Sequence, residues 1–353
     1  MYDIIIIGAG PAGSNLARLL SKKKKVLLVD RRNFMSYTSI NEKLCGGLLA
    51  PDAQLMFAKL NLSLPNSILV NPQIFAVKTI DLNNNIKKYY QRFYLNFDRF
   101  KFDKWMFDMI PDDIEKMVNT VFTGCRKESN SITVKLRTKD KEMEVETKVL
   151  VGADGSNSSV RKSAYDAYKW PKQYLSIQEV YKSNTILPYY LAIFDHCITD
   201  FYSWIIPKED TILIGSALNR DGAKEKFELL KIKLSNEGFD LSNLISTKGT
   251  FINRPIRNSE ICYGRKNIFL IGESSGLISP SSAEGISYAL YSSSILANII
   301  KNCNENDVDE IYNKEMKKMN FKMTLKHIKS PFMYNNFLRK TAMKSSLLSI
   351  KGL

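Results

Sequence analysis

Six residues near the start constrain this chain more than any others: Gly8-Ala9-Gly10-Pro11-Ala12-Gly13. They follow directly on Asp3-Ile4-Ile5-Ile6-Ile7, an apolar, β-branched run of the kind that forms a parallel strand buried on both faces. Ser14 to Ser21 then reads as a helix, and Val26-Leu27-Leu28-Val29 as a second strand ending on Asp30. Strand, GxGxxG turn, helix, strand and terminal acid predict a dinucleotide-binding βαβ unit. Gly8 makes the tight turn, and Gly10 lets the backbone approach a pyrophosphate. Gly13, with Ala17 a turn later, lets the helix lie close on the sheet, while the helix N-terminus faces the phosphate charge. Asp30 would accept hydrogen bonds from an adenosine ribose.

The chain returns twice to a buried strand that runs into glycines and an acid. Val149-Leu150-Val151 leads into Gly152-Ala153-Asp154-Gly155. Ile268-Phe269-Leu270-Ile271 leads into Gly272-Glu273-Ser274-Ser275-Gly276 and on to Pro280, with a long helix expected from Ser282 to Lys301. Before and between these pieces lie a loop-rich stretch from Phe34 to Leu64, a hairpin turning at Asn83-Asn84-Asn85 and a helix from Arg99 to Ile110. An antiparallel pair (Ile132 to Leu136, Met143 to Val151), an aromatic strand-rich stretch from Tyr174 to Ala217 and a helix from Ala223 to Asn236 complete the pattern. For 353 residues this predicts two domains and a tail. The cofactor domain is discontinuous (1–66, 96–165 and 260–303), the substrate domain is inserted (67–95 and 166–259), and 304–353 is a basic C-terminal helical segment.

A hydrophobic fraction of 44% with 25% charged residues excludes intrinsic disorder. No run approaches the ~18 apolar residues of a membrane-spanning helix, and no cleavable leader is expected ahead of Ile4. Five cysteines without a CxxC pair point to a reducing cytosol. The charge is unusual: 51 Lys+Arg against 36 Asp+Glu, a net +15. Ten of the basic residues and a single acid fall in residues 311–353. No zinc-finger, RNA-recognition or helix-turn-helix signal accompanies them, so no nucleic-acid partner is expected. Within the tail Tyr312, Met316, Met319 and Met323 share one helical face, with Lys314, Lys318, Lys322 and Lys329 largely opposite. That helix packs on its own domain, or it touches the anionic inner face of a membrane; both readings stay open. His196 and His327 lack the partners of a catalytic set, and no metal site is expected.

A nicotinamide enzyme needs one fingerprint; an extended FAD needs later segments to return and hold its ribityl chain and isoalloxazine. In this respect the sequence resembles the glutathione-reductase-type flavoproteins of the p-hydroxybenzoate-hydroxylase class. Gly152-Ala153-Asp154-Gly155 matches that class's DG motif, and Gly272 through Pro280 its GD motif, with Glu273 where Asp is usual. Within the class the chain is similar to the geranylgeranyl-reductase-like branch, including CbrA-like proteins. Cys45-Gly46-Gly47, Arg99-x-x-Phe102-Asp103, Tyr202-x-Trp204-x-x-Pro207 (with Ile206 where Phe is usual) and Pro280 through Ile286 carry this likeness.

The resemblance implies an α/β fold: a discontinuous glutathione-reductase-type Rossmann FAD domain, an inserted antiparallel β-sheet substrate domain and C-terminal helices. It places FAD against Gly8, Gly10, Ala12, Gly13, Asp30 and Arg31 at the dinucleotide end. Cys45, Gly46, Arg99, Asp154 and Gly155 follow, and then Gly272, Glu273, Gly276, Pro280, Gly285 and Ile286. Cys45, Tyr202 and Trp204 are the catalytic candidates, although Cys45 as a buried small hydrophobe and the two aromatics as core packing are equally ordinary. The implied reaction is reduction of a C=C bond in an isoprenoid-like lipid by hydride from flavin N5. The alternatives are a monooxygenase of the same fold and a non-catalytic flavoprotein acting as a redox or resistance factor. The electron donor stays open between NAD(P)H and a ferredoxin-type protein. Tryptophan halogenases carry a WxWxIP element that Tyr202 to Pro207 matches in part, but the candidate lysine, Lys78, falls in the hairpin.

Overall fold

A computed structural model describes residues 1–35, 43–165, 169–183, 187–304, 307–345 and 349–350. Part of the expected loop after Phe34 (36–42), the proposed boundary at 166 and Lys351 lie outside the described residues. The chain builds two eight-stranded sheets. In the first, Tyr2–Ile7 lies at the centre, parallel to Val26–Val29 on one side and to Glu142–Gly152 on the other. Glu115–Met117 extends one edge in parallel, and Ile268–Leu270 the other. The β-branched run explains the position. Ile4 and Ile6 enter one core with Leu16 and Leu20, while Ile5 and Ile7 enter a second core with Val134 and Leu150 on the opposite face.

Close backbone approach makes the turn glycines necessary. Gly8 has φ +103°, and a Cβ on it would lie 2.5 Å from the Ala153 carbonyl oxygen. A Cβ on Gly13 would lie 1.8 Å from Gly8 O, so the helix Pro11–Leu20 can approach the strand only because Gly13 has none. Val121–Lys127, which sequence patterning did not mark as a strand, pairs with Ile132–Arg137. Its register shifts between Phe122 and Gly124, which breaks the alternation.

The second sheet runs in the order Leu244–Arg254, Lys172–Lys182, Thr211–Leu218, Ser203–Lys208, Tyr190–Phe194, Ile74–Asp81, Ile86–Asn96, Leu48–Leu49. It is antiparallel except where Tyr190–Phe194 runs parallel to Ile74–Asp81. One face packs Ile177, Ile193, Ile205 and Ile214 against Phe227 and Leu230 of the helix Ala223–Asn236. The other face, carrying Tyr174, Trp204 and Ile206, turns toward the first sheet.

The helix after the second glycine turn starts at Ile286, four residues later than patterning predicts. Ala283 adopts a left-handed φ of +54°, and Glu284 accepts the Ser287 N–H at 2.7 Å, holding the chain out of helix until Gly285. The tail forms the helices Val308–Tyr334 and Asn336–Lys344. Tyr312, Met316, Met319 and Met323 are buried in the Rossmann-side core, so this face belongs to the fold.

Candidate functional site

A cavity of about 720 Å³ lies between the two sheets. Gly10, Pro11 and Ala12 line one end. Gly10 precedes the first helix, and among the described residues no side chain caps it and no atom lies within 4 Å of a Cβ built on it. A helix start without a side-chain cap beside open space forms an anion site suited to a pyrophosphate. From there the lining passes Lys43, Cys45, Gly46, Arg99, Gly155 and Glu273 to Gly285 and Ile286, the start of a second helix.

Cations surround Cys45. The Gly47 N–H donates to Cys45 Sγ at 3.4 Å, and the Arg99 guanidinium lies near enough to feel the charge of that sulfur. Arg99 is held by Asp103 at 2.9 Å, and Asp103 by Arg32 at 2.8 Å, which in turn grips Asp30 at 3.1 Å. The Lys208 ammonium donates to Gly47 O at 3.0 Å, to Phe97 O at 2.9 Å and to Asn96. Burial pushes Lys208 down to about 7, against a weaker opposing pull from Cys45 and Asp98.

At the other end Tyr202, Trp204 and Ile206 present alternate side chains to the cavity, as strand periodicity requires. A Cβ on Gly46 would lie 2.6 Å from Ile206 Cδ1, so the cysteine–glycine element and the Tyr–Trp–Pro element meet here. The Trp204 indole lies across Gly215, where a Cβ would fall 2.4 Å from Cε2 and Nε1. Gln178 and Trp204 both stand in register with Gly215, one strand to each side. Trp204 Nε1 and Gln178 Oε1 are buried with no partner among the described residues. A buried donor and acceptor left open on a cavity wall await a ligand's polar group. Tyr202 donates to Ser282 O at 2.9 Å and Tyr334 to Ser281 O at 2.7 Å, tying the loop ahead of Ile286 to the sheet and to the tail.

Residues 6–50 match the NAD(P)-binding Rossmann-like domain family. Protein CbrA of Escherichia coli O6:H1 (strain CFT073) is 38% identical over 352 residues, covering 100% of this chain and 95% of that protein. This chain belongs to the CbrA family. Among solved structures, a geranylgeranyl bacteriochlorophyll reductase-like protein from Thermoplasma acidophilum is similar with TM-score 0.78 at 19% identity, over 97% of this chain and 87% of that one. A triple mutant of the flavin-dependent brominase Bmp2 is similar with TM-score 0.72 at 18% identity, over 99% and 94%. The CbrA-family chain has the fold of FAD-binding oxidoreductases.

Several motif residues stand behind the cavity wall. Asp30 accepts the Ala9 N–H at 2.6 Å, which fixes the glycine turn, and its neighbour Arg31 is exposed. Asp154 caps the helix Ser159–Ala164, accepting from Ser158 Oγ at 2.5 Å and from the Ser159 N–H at 2.6 Å; burial raises its carboxyl. Gly272 (φ +61°) packs on Ala12 and Ala289, and Gly276 (φ +89°) on Glu260 O. The Pro280 carbonyl accepts from Arg254 Nε at 3.1 Å. Glu273 does line the cavity, accepting the Asn253 N–H at 3.1 Å and facing Lys43 at 3.5 Å.

Residues that motif matching passed over also line the site. They include Gln178 and Arg339, and Lys329, Phe332 and Met343 from the tail. Lys208 reaches its edge through Gly47. Only the lysine had a local signal, since it follows Pro207 directly. The C-terminal helices are thus a wall of the cavity. Lys78 lies over the rings of Tyr89 and Tyr189, while its neighbours Val77 and Thr79 line the cavity, so it faces away. His196 lies beside Asp195 and Cys197, but Asp195 is taken by Lys233 and Asn83.

Proposed function

We propose that this CbrA-family chain is an FAD-dependent reductase acting on a C=C bond of an isoprenoid-like lipid. One observation carries the reading: a single cavity joins the bare helix start at Gly10 to the aromatic wall at Tyr202 and Trp204. A dinucleotide and an apolar substrate could therefore share it end to end. Bound there, FAD supplies hydride-transfer chemistry. The helix starts after Gly10 and Gly285 would turn positive dipole ends toward negative charge on a bound FAD. Arg99 adds a fixed cation beside Cys45, and Lys208, lowered by burial to about 7, a cation that comes and goes with pH. Tyr190, Phe194, Tyr202 and Trp204 exclude water from the substrate side. Gln178 Oε1 and Trp204 Nε1 orient one neutral polar group of the substrate, since a hydroxyl can donate to the first and accept from the second. Glu284, whose carboxyl is raised by burial despite bonds from Ser287, lines the cavity wall just ahead of the second helix.

The test is product mass after one anaerobic turnover of dithionite-reduced protein with a polyprenyl lipid, repeated in air. A gain of two hydrogens without oxygen supports the reading. Oxygen incorporated in air identifies a monooxygenase instead. Neither change, with FAD bound, leaves the non-catalytic flavoprotein. NAD(P)H or a ferredoxin-type protein replacing dithionite then identifies the electron donor.

A further inference from the structure

The long helix Val308–Tyr334 carries two apolar stripes on opposite sides. The inner one, Tyr312 to Met323, is buried. The outer one is Phe321, Leu325, Ile328 and Phe332, spaced i, i+4, i+7, i+11 and exposed by 67%, 45%, 61% and 53%. Phe337 of the next helix, 73% exposed, continues it. Isolated surface apolar residues are ordinary, but a continuous stripe of large ones marks an interaction surface.

The charge around the stripe identifies the occupant. Lys314, Lys317, Lys318, Lys322 and Lys329 are exposed along the same helix, and Lys340 and Lys344 on the next. Residues 311–353 carry a net +9. A second copy of the chain would set one such surface against another, at a Coulombic cost. An anionic bilayer neutralises the lysines and takes the aromatic rings into its interfacial layer, as amphipathic helices with a basic flank do. No helix among the described residues is long and apolar enough to cross a membrane.

Position connects this surface to the cavity. Phe332, at the C-terminal end of the stripe, also lines the cavity, with Lys329 and Met333 beside it. We propose that the Phe321–Phe332 stripe docks on an anionic lipid surface, bringing the cavity rim to the bilayer. Delivery of a lipid substrate by this route rests on the reductase reading; docking itself does not.

Flotation with vesicles tests the docking. Full-length protein is mixed with phosphatidylcholine vesicles, or with vesicles in which a quarter of the lipid is phosphatidylglycerol. The expected result is capture by the anionic vesicles alone, weakened by salt. Phe321→Ser/Leu325→Ser should lower that capture about tenfold or more. These side chains lie outside the cavity lining, so FAD content, circular dichroism and turnover with a water-soluble acceptor should stay unchanged. Equal capture by both vesicles, no capture, or undiminished capture of the variant would overturn the proposal. So would light scattering showing a dimer that the same substitutions split. Turnover is read separately, so failure of the reductase reading leaves a positive flotation result standing.

Discussion

Arg339 and Asp81, 258 residues apart, form a buried ion pair in which Nε donates to Oδ2 at 2.8 Å and Nη2 to Oδ1 at 3.2 Å. The pair fastens the last helix to the second sheet, and Arg339 also lies over the Phe194 ring that lines the cavity. Burial would raise the Asp81 carboxyl, but bonds from Arg339 and Asn84 outweigh it and hold the group below the ordinary carboxylate range. Its contribution is therefore present above the unfolded carboxylate pKa and is lost as pH falls through the lower folded value.

Arg339→Ala should destabilise the protein by about 3–5 kcal/mol at neutral pH, because it strands a buried carboxylate. The deficit should shrink in acid, where Asp81 protonates. Urea unfolding at pH 7 and pH 4 measures both. An equal deficit at the two values would mean that lost packing, and not the charge, is responsible.

Gly10→Val should leave the fold intact and remove FAD. Its backbone φ of −74° suits any residue, and its Cβ meets no atom of the described residues within 4 Å, in space the pyrophosphate would occupy. Gly13→Val should fail to fold, since its Cβ would overlap Gly8 O. Thermal unfolding paired with visible absorbance separates the two outcomes. A folded Gly10→Val protein with stoichiometric FAD would refute the assignment of this end of the cavity.

Lys208 titrates near 7 in the folded chain, well below an ordinary lysine. The sign follows: folding disfavours the ammonium, so stability should rise as pH climbs from about 7 toward the ordinary lysine range. Lys208→Met should abolish that rise. With FAD bound, Cys45→Ser should retain the cofactor but shift its visible spectrum; an unchanged spectrum would place Cys45 away from the ring.

Gln178→Leu removes an unpartnered buried acceptor at little change in volume. The free protein should hold its stability or gain up to about 1 kcal/mol, while KM for the lipid rises more than kcat falls. A large loss of stability without substrate would show that Gln178 is a structural hydrogen-bonding residue.

Much of the first sheet was legible because its determinants are local. A β-branched run, glycines at fixed offsets and a terminal acid specify strand, turn and helix within thirty residues. The DG and GD turns were legible for the same reason, yet their acids differ in use: Asp154 caps a helix while Glu273 faces the cavity. Spacing cannot tell these apart, because each depends on which backbone N–H groups another segment brings within reach. The short, polar strand Val121–Lys127 was hidden by its register shift.

By itself the sequence determined the nucleotide-binding turn, the order of the elements and the existence of an amphipathic tail, all set by neighbours along the chain. Tertiary structure alone decided which side of that tail is buried. Two apolar stripes half a turn apart satisfy helical periodicity equally well, and only packing against the Rossmann core gives the inner one to the fold and leaves the outer one exposed. It also decided the cavity wall, where Gln178, Gly215 and Trp204 meet through strand register and Arg339 reaches Asp81 across most of the chain. Such contacts follow from shape complementarity between distant segments, a property no local pattern encodes.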